Sequence, residues 1–244
     1  MTGGTIALAA GKPQGLPFRQ PLYAPGPYLY TDGMVLVIGY TCAEEAVRGC
    51  MPKELEPLED LTVYMTFFQW PAVTGIGPHG FAMPLVPCTY GDYVCQWVPY
   101  LYTSTDASLA CYRECQGWPA VLADIQLTEG RGKVHASVNR AGREIVSATA
   151  EVSGDPITEM DFLPIILYKE IPSIDGTGTD VASFLTSTSK FTNLDFLAGT
   201  GTVSFPDPGD DPIAELVPQE ITAVIYGSMD DEYPETIRLL EPLP

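Results

Sequence analysis

Short apolar stretches follow one another along the chain in two patterns. Residues 34–40 (MVLVIGY) are nearly all apolar, which predicts a strand buried on both faces. Residues 61–70 alternate instead: Val63, Met65 and Phe67 share one face of a long strand, and Tyr64, Thr66, Phe68 and Trp70 share the other. Alternation over 121–127 predicts a half-buried strand. Residues 83–88 and 92–102 predict a strand pair turning at Tyr90-Gly91, and 133–139 with 144–152 a hairpin around Arg140-Ala141-Gly142-Arg143. A last strand is expected over 220–227. Helical signals are few. Residues 41–48 carry Thr41 and Glu44 at capping-box spacing, and a polar start at Ser104-Thr105-Asp106 leads into a short helix that ends near Gln116. Between the strands, residues 71–82 (PAVTGIGPHGFA) predict a Gly/Pro-punctuated loop holding His79.

Composition agrees with many short strands and turns: 23 prolines and 23 glycines are spread through 244 residues rich in Val, Thr, Tyr and Phe. The length suits one large, mainly β domain. We expect an N-terminal arm over residues 1–22 and a single domain over 23–244. Twelve basic against 31 acidic residues leave a net charge of −19, which argues against nucleic acid as a partner. The six cysteines fall at irregular spacing in a chain too long to need disulfide staples, which points to reduced thiols and a cytoplasmic protein. Cys111 and Cys115 lie one helical turn apart, but neither histidine, His79 or His135, is beside them, so no metal and no cofactor is expected. The N-terminus has no secretory pattern. No apolar run approaches the roughly 20 residues of a membrane span.

The stretch Cys111-Tyr112-Arg113-Glu114-Cys115-Gln116-Gly117-Trp118-Pro119-Ala120-Val121-Leu122 resembles the signature of the acetoacetate decarboxylase family, Gly-Arg-Glu-x-x-(Gly/Ala)-(Phe/Tyr)-Pro-Lys-Lys-Leu. Further short likenesses follow the family's order: Gly26-Pro27-Tyr28, Met51-Pro52-Lys53-Glu54-Leu55, residues 167–176 and residues 199–205. The resemblance implies a mainly β fold, an antiparallel sheet curled into a cone or partly closed barrel around an apolar cavity, with short helices outside. It also implies a homo-oligomer.

In that family the lysine pair after the proline carries the chemistry, one lysine forming a Schiff base with a ketone. Here the two positions are Ala120 and Val121, which offer neither nucleophile nor proton donor. The resemblance also places Gly33 where the family has an arginine, and Met65 where it has a glutamate. The loop of the second glutamate offers Gly77, Pro78, His79 and Gly80. An apolar, nearly uncharged cavity is the expectation, because burying a carboxylate without a cation is costly. Its walls should include Tyr64, Met65, Phe68, Trp70, Trp97, Trp118, Ala120 and Val121. Gln116, His79, Arg113 and Glu114 are the candidate catalytic groups, Arg113 and Glu114 having a competing reading as a structural pair beside the cavity. His79 could equally be an exposed loop histidine. The lysines, Lys12, Lys53, Lys133, Lys169 and Lys190, have blander explanations than imine chemistry.

Three functions remain open on these residues. One is an enzyme of specialised metabolism that binds a neutral, largely apolar small molecule and promotes cyclisation, isomerisation, dehydration or hydrolysis by orientation and hydrogen bonding. The others are a decarboxylase or aldolase-dehydratase with relocated catalytic residues, and a non-catalytic carrier of a small apolar ligand.

Overall fold

A computed structural model describes residues 20–157, 160 and 162–240, so most of the expected N-terminal arm, and Lys12, lie outside the described residues. The alternating and unbroken apolar runs become fourteen strands. In chain order the elements are β1 (Tyr28–Thr41), α1 (Glu44–Gly49), β2 (Glu56–Pro57), β3 (Thr62–Trp70), β4 (Ala72–Val73), β5 (His79–Tyr90), β6 (Tyr93–Trp97), β7 (Leu101–Thr103), α2 (Asp106–Gln116), β8 (Ala120–Leu122), β9 (Asp124–Gly130), β10 (Lys133–Arg140), β11 (Arg143–Ile157), β12 (Ile165–Pro172), β13 (Thr179–Ser204) and β14 (Ile221–Leu239). A 3-10 turn, Pro212–Glu215, precedes the last strand.

The strands form one mainly antiparallel sheet in the order β12-β6-β5-β3-β1-β14-β13-β11-β10-β9. It curls around a cavity and nearly closes, with the two short helices at its periphery. It is not a β-barrel, and the barrel form of the expectation is corrected here. The hydrogen-bonded order stops at β9, whose only hydrogen-bonded strand partner among the described residues is β10. β12 folds back on β13 but meets β6 through only two parallel residue pairs, Ile165 with Gln96 and Ile166 with Trp97.

The side-chain period of two separates the two faces of this sheet. Leu36, Ile38, Val63, Met65 and Phe67 pack outward with Ile125, Leu127, Val134, Val138 and Val146 in one core layer. Tyr30, Val35, Phe68, Trp70, Met83, Trp118 and Tyr233 pack inward. The hairpin of β10 and β11 forms as expected, with Ala141 and Gly142 both at positive φ, 51° and 80°, as a tight two-residue turn requires.

Several local expectations are replaced. Thr41 does not cap α1, because it is consumed as the last residue of β1, opposite Thr62. Ala43 stands at the cap without a side-chain bond, and Glu44 pairs with Arg48 at 2.9 Å. The strand expected over 92–102 breaks after Trp97, where Pro99 has no N–H to give the ladder, and resumes as β7 on β5. The strand expected over 121–127 is likewise two: β8 runs parallel to β7, and β9 joins β10.

Candidate active site

Helix α2 brings the family-like signature to the cavity. Thr105 caps it, its side chain accepting from the Ser108 N–H at 3.2 Å, and Asp106 lies in the first turn. Gly117 ends it at φ 75°, its N–H bonding to the Arg113 carbonyl. A Cβ at Gly117 would fall 2.6 Å from the Cα of Lys169, so β12 can pack against this turn only because no side chain is there. Lys169 Nζ donates to the carbonyls of Glu114 and Cys115 at 2.7 and 2.9 Å, completing the cap.

The cavity encloses about 540 Å³, within the usual range for a small-molecule site. Aromatic and aliphatic side chains dominate its wall. Tyr64, Thr66, Phe68 and Trp70 line it from β3, as the alternation of that strand expects, and Trp118 lines it from the turn after α2. Phe68 stacks on Phe81 with centroids 4.4 Å apart, and Tyr30 meets Trp70 edge-on at 5.1 Å. Gly33 and Trp70 fit each other, since a Cβ at Gly33 would lie 2.2 Å from the Trp70 ring.

Other candidate residues sit elsewhere, and each displacement follows from a face or a turn. Met65 is fully buried in the outer core layer, one residue out of phase with Tyr64 and Thr66. Trp97 faces away from the cavity and donates its indole N–H to the Cys50 carbonyl at 2.9 Å, leaving its neighbour Gln96 on the wall. Ala120 is buried beside the cavity-side layer without lining the cavity, and Val121 packs on the opposite layer.

On α2, Tyr112 and Gln116 are four apart and both point inward, whereas Arg113 and Glu114 rotate to the exposed side. Arg113 Nη1 donates to the Ala120 carbonyl at 3.2 Å, and the Glu114 carboxylate accepts from the Tyr23 hydroxyl at 2.5 Å. They tie down the turn and neither touches the cavity. Gln116 stands behind the wall, its Oε1 accepting from the Tyr233 hydroxyl and from Trp118 Nε1, and so holds two lining side chains. Among the lysines, Lys133 pairs with Glu151, Lys190 approaches Glu232 and Lys53 is exposed. No lysine or arginine lines the cavity among the described residues.

His79 is neither on a loop nor exposed. It opens β5 opposite Trp70 and is buried. Its Nδ1 lies 2.9 Å from the Gly77 carbonyl, which can only accept, so Nδ1 carries the proton. Nε2 is then a bare acceptor, 2.7 Å from the Tyr112 hydroxyl. Burial pushes the His79 pKa down, with the Gly77 bond opposing, which keeps the ring neutral at pH 7. Burial pushes the phenols of Tyr112 and Tyr30 up. Tyr112 therefore keeps its proton, commits it to His79 and offers its oxygen as an acceptor. Tyr30, 3.3 Å away, donates its proton to that oxygen in the free site, and rotation of its hydroxyl turns the proton to a ligand. Trp70 Nε1, on the same wall, is a buried donor without a protein partner, so it too is available.

The acids of the site escaped sequence reading. On β14, Met229, Asp231 and Tyr233 face the cavity, while Asp230 and Glu232 on the other face meet Asn193 and Lys190. Asp231 Oδ2 accepts from Ser189 at 3.1 Å, and its buried Oδ1 has no partner. Burial raises its pKa to about 7. The expected nearly uncharged cavity thus holds one partly buried carboxyl, with Asp60 as a second acid on its wall. A run of three acids reads as a solvated surface in sequence; the period of two along β14 was the only available signal.

Among the described residues no cluster of three His, Cys, Asp or Glu could hold a metal, and the cysteines are free thiols. No described helix is long and apolar enough to cross a membrane.

The acetoacetate decarboxylase (ADC) family model matches residues 15–239, and the chain belongs to that family. Acetoacetate decarboxylase 3 of Mesorhizobium japonicum is 31% identical over 166 residues, 66% of this chain, and the chain spans 64% of that relative's length. The crystal structure of acetoacetate decarboxylase from Legionella pneumophila superposes with a TM-score of 0.84 at 22% identity, covering 96% of this chain and 98% of that one. The enduracididine biosynthesis enzyme MppR, complexed with pyruvate, gives 0.78 at 18% identity, covering 93% and 96%. These two likenesses show the fold.

Proposed function

We propose that the cavity binds a neutral, largely apolar small molecule with a carbonyl group and promotes its cyclisation or isomerisation by orientation and hydrogen bonding, without an imine. The observation that carries this reading is a wall with two carboxyls, several phenols and an unpaired indole N–H, but no lysine or arginine among its described residues. An anionic keto acid would be buried beside Asp231 with no cation to offset it, at a cost of several kcal/mol. The net charge of −19 disfavours approach of anions as well. A neutral carbonyl meets no such penalty. Tyr30 O–H and Trp70 N–H can donate to its oxygen as negative charge develops there. The family relationship supports an enzyme rather than a carrier.

The test combines two measurements. Borohydride treatment with acetylacetone, followed by intact mass, should leave the chain unmodified; a stable adduct would overturn the non-imine reading. Nile red, a neutral apolar dye, should fluoresce on binding to the wild type and not to Leu85→Trp, which fills the cavity from β5. Equal binding by both would remove the cavity as the ligand site.

A further inference from the structure

We propose that Asp231 is a catalytic residue that carries a proton between two carbon atoms of the substrate, which makes the substrate a neutral ketone with a C–H bond next to its carbonyl and a double bond one position further on. This inference rests on the reading of the cavity as a neutral-ligand site and assigns its chemistry.

Four observations lead to it. First, Asp231 is on the cavity side of β14, between Met229 and Tyr233, and its two acidic neighbours are not. Second, only one of its oxygens is held by the protein, Oδ2 by Ser189. Buried polar atoms are almost always paired, so the unpaired Oδ1 marks the side on which something is to be bound or moved. Third, the same wall supplies the complementary group, Tyr30, which stands opposite Asp231 in the pairing of β1 with β14. The site therefore has a proton acceptor and an oxygen-binding donor side by side. Fourth, the environment separates their proton affinities, Asp231 being raised to about 7 while Tyr30 is held far higher, so one group exchanges protons at neutral pH and the other only donates a hydrogen bond.

The step balances without a co-reactant. The C–H bond next to the carbonyl breaks, its proton passes to the Asp231 carboxylate, and its electron pair forms a new C=C bond. The carbonyl π pair moves onto oxygen, where Tyr30 and Trp70 donate. Return of that proton to the far end of the conjugated system restores the carbonyl and leaves the double bond conjugated with it.

The groups facing Asp231 are few. On its own strand they are Tyr233 on the cavity side, with Asp230 and Glu232 outside. Glu232 raises the Asp231 pKa and is itself approached by Lys190 at 3.4 Å. From β1 comes Tyr30, from β13 Ser189, and from α2 Tyr112, which feels the charge of Asp231.

The probe is 3-cyclohexen-1-one, followed by its absorbance change on conjugation and by deuterium uptake from D2O in NMR. The wild type should catalyse both, with a rate that rises through a pH of about 7 as Asp231 ionises. Asp231→Asn should lose about 100-fold or more, the range for removal of a general base, while still binding Nile red. Asp231→Glu should recover part of the rate, and Asp230→Asn, on the outer face, should keep it. An Asp231→Asn protein that binds Nile red and retains the wild-type rate would overturn the proposal. So would a wild type that binds Nile red yet neither isomerises nor exchanges the ketone, and that result would leave the non-imine reading standing. A borohydride-trapped adduct would instead overturn the underlying reading.

Discussion

His79 Nε2 lies 2.7 Å from the hydroxyl of Tyr112, a residue 33 positions later in the chain, and both groups are buried. One opens a strand and the other sits in the second turn of a helix, so the bond joins α2 to the sheet at the cavity wall. Removing either partner leaves the other unsatisfied in a dry place, at about 1–3 kcal/mol. His79→Ala and Tyr112→Phe should each destabilise by roughly that amount in urea unfolding. The double variant should cost less than their sum, with a coupling of about 0.5–3 kcal/mol. Strict additivity would show that the bond contributes nothing.

Two desolvated groups should give stability opposite slopes with pH. The His79 pKa is lowered by burial from 6.5, so the stability tied to its neutral form is present above pH 6.5 and is lost as pH falls further. The Asp231 pKa is raised from 3.8 to about 7, so the stability tied to its protonated form is present below pH 3.8 and is lost as pH rises to about 7. The full shift corresponds to roughly 4 kcal/mol. Asp231→Asn should therefore be more stable than the wild type at pH 8, with its advantage shrinking towards pH 4. Equal unfolding midpoints at pH 8 would rule this out.

Gly33 and Trp70 occupy one space. Gly33→Ala would put a methyl group 2.2 Å from the indole, and overpacking of this kind costs about 1–3 kcal/mol. A fall in Tm is expected, together with a change in tryptophan emission. Gly77→Ala, with nothing within 4 Å of its added carbon but a φ of 89°, separates backbone strain from crowding: it should lower Tm without moving the emission.

Cys115 is exposed at the end of α2, and its pKa is lowered to about 6, chiefly by hydrogen bonding from Cys111, with the charge of Lys169 adding to the effect. Iodoacetamide at pH 7 should modify it before any other thiol, because the thiolate is the nucleophile. Peptide mapping after brief exposure checks this; first labelling at Cys50 or Cys42 would contradict it.

Much of this protein was legible along the chain. The two faces of β3, the turn at Ala141-Gly142, and a helix started by Thr105 and stopped by Gly117 are properties of residues within a few positions of one another. Backbone geometry and side-chain period impose them locally. The resemblance at residues 111–122 carried the fold. The partners in that site were not legible. Residues 79 and 112, 30 and 231, or 116 and 233 meet because strand register and helix rotation bring them together. A shift of one position exchanges Gln96 for Trp97 on the wall, or Tyr64 for Met65. Asp231 shows the division most plainly: within Asp230-Asp231-Glu232 all three acids look alike, and only the curl of the sheet decides that two face water and the middle one faces an apolar cavity, where desolvation changes its chemistry.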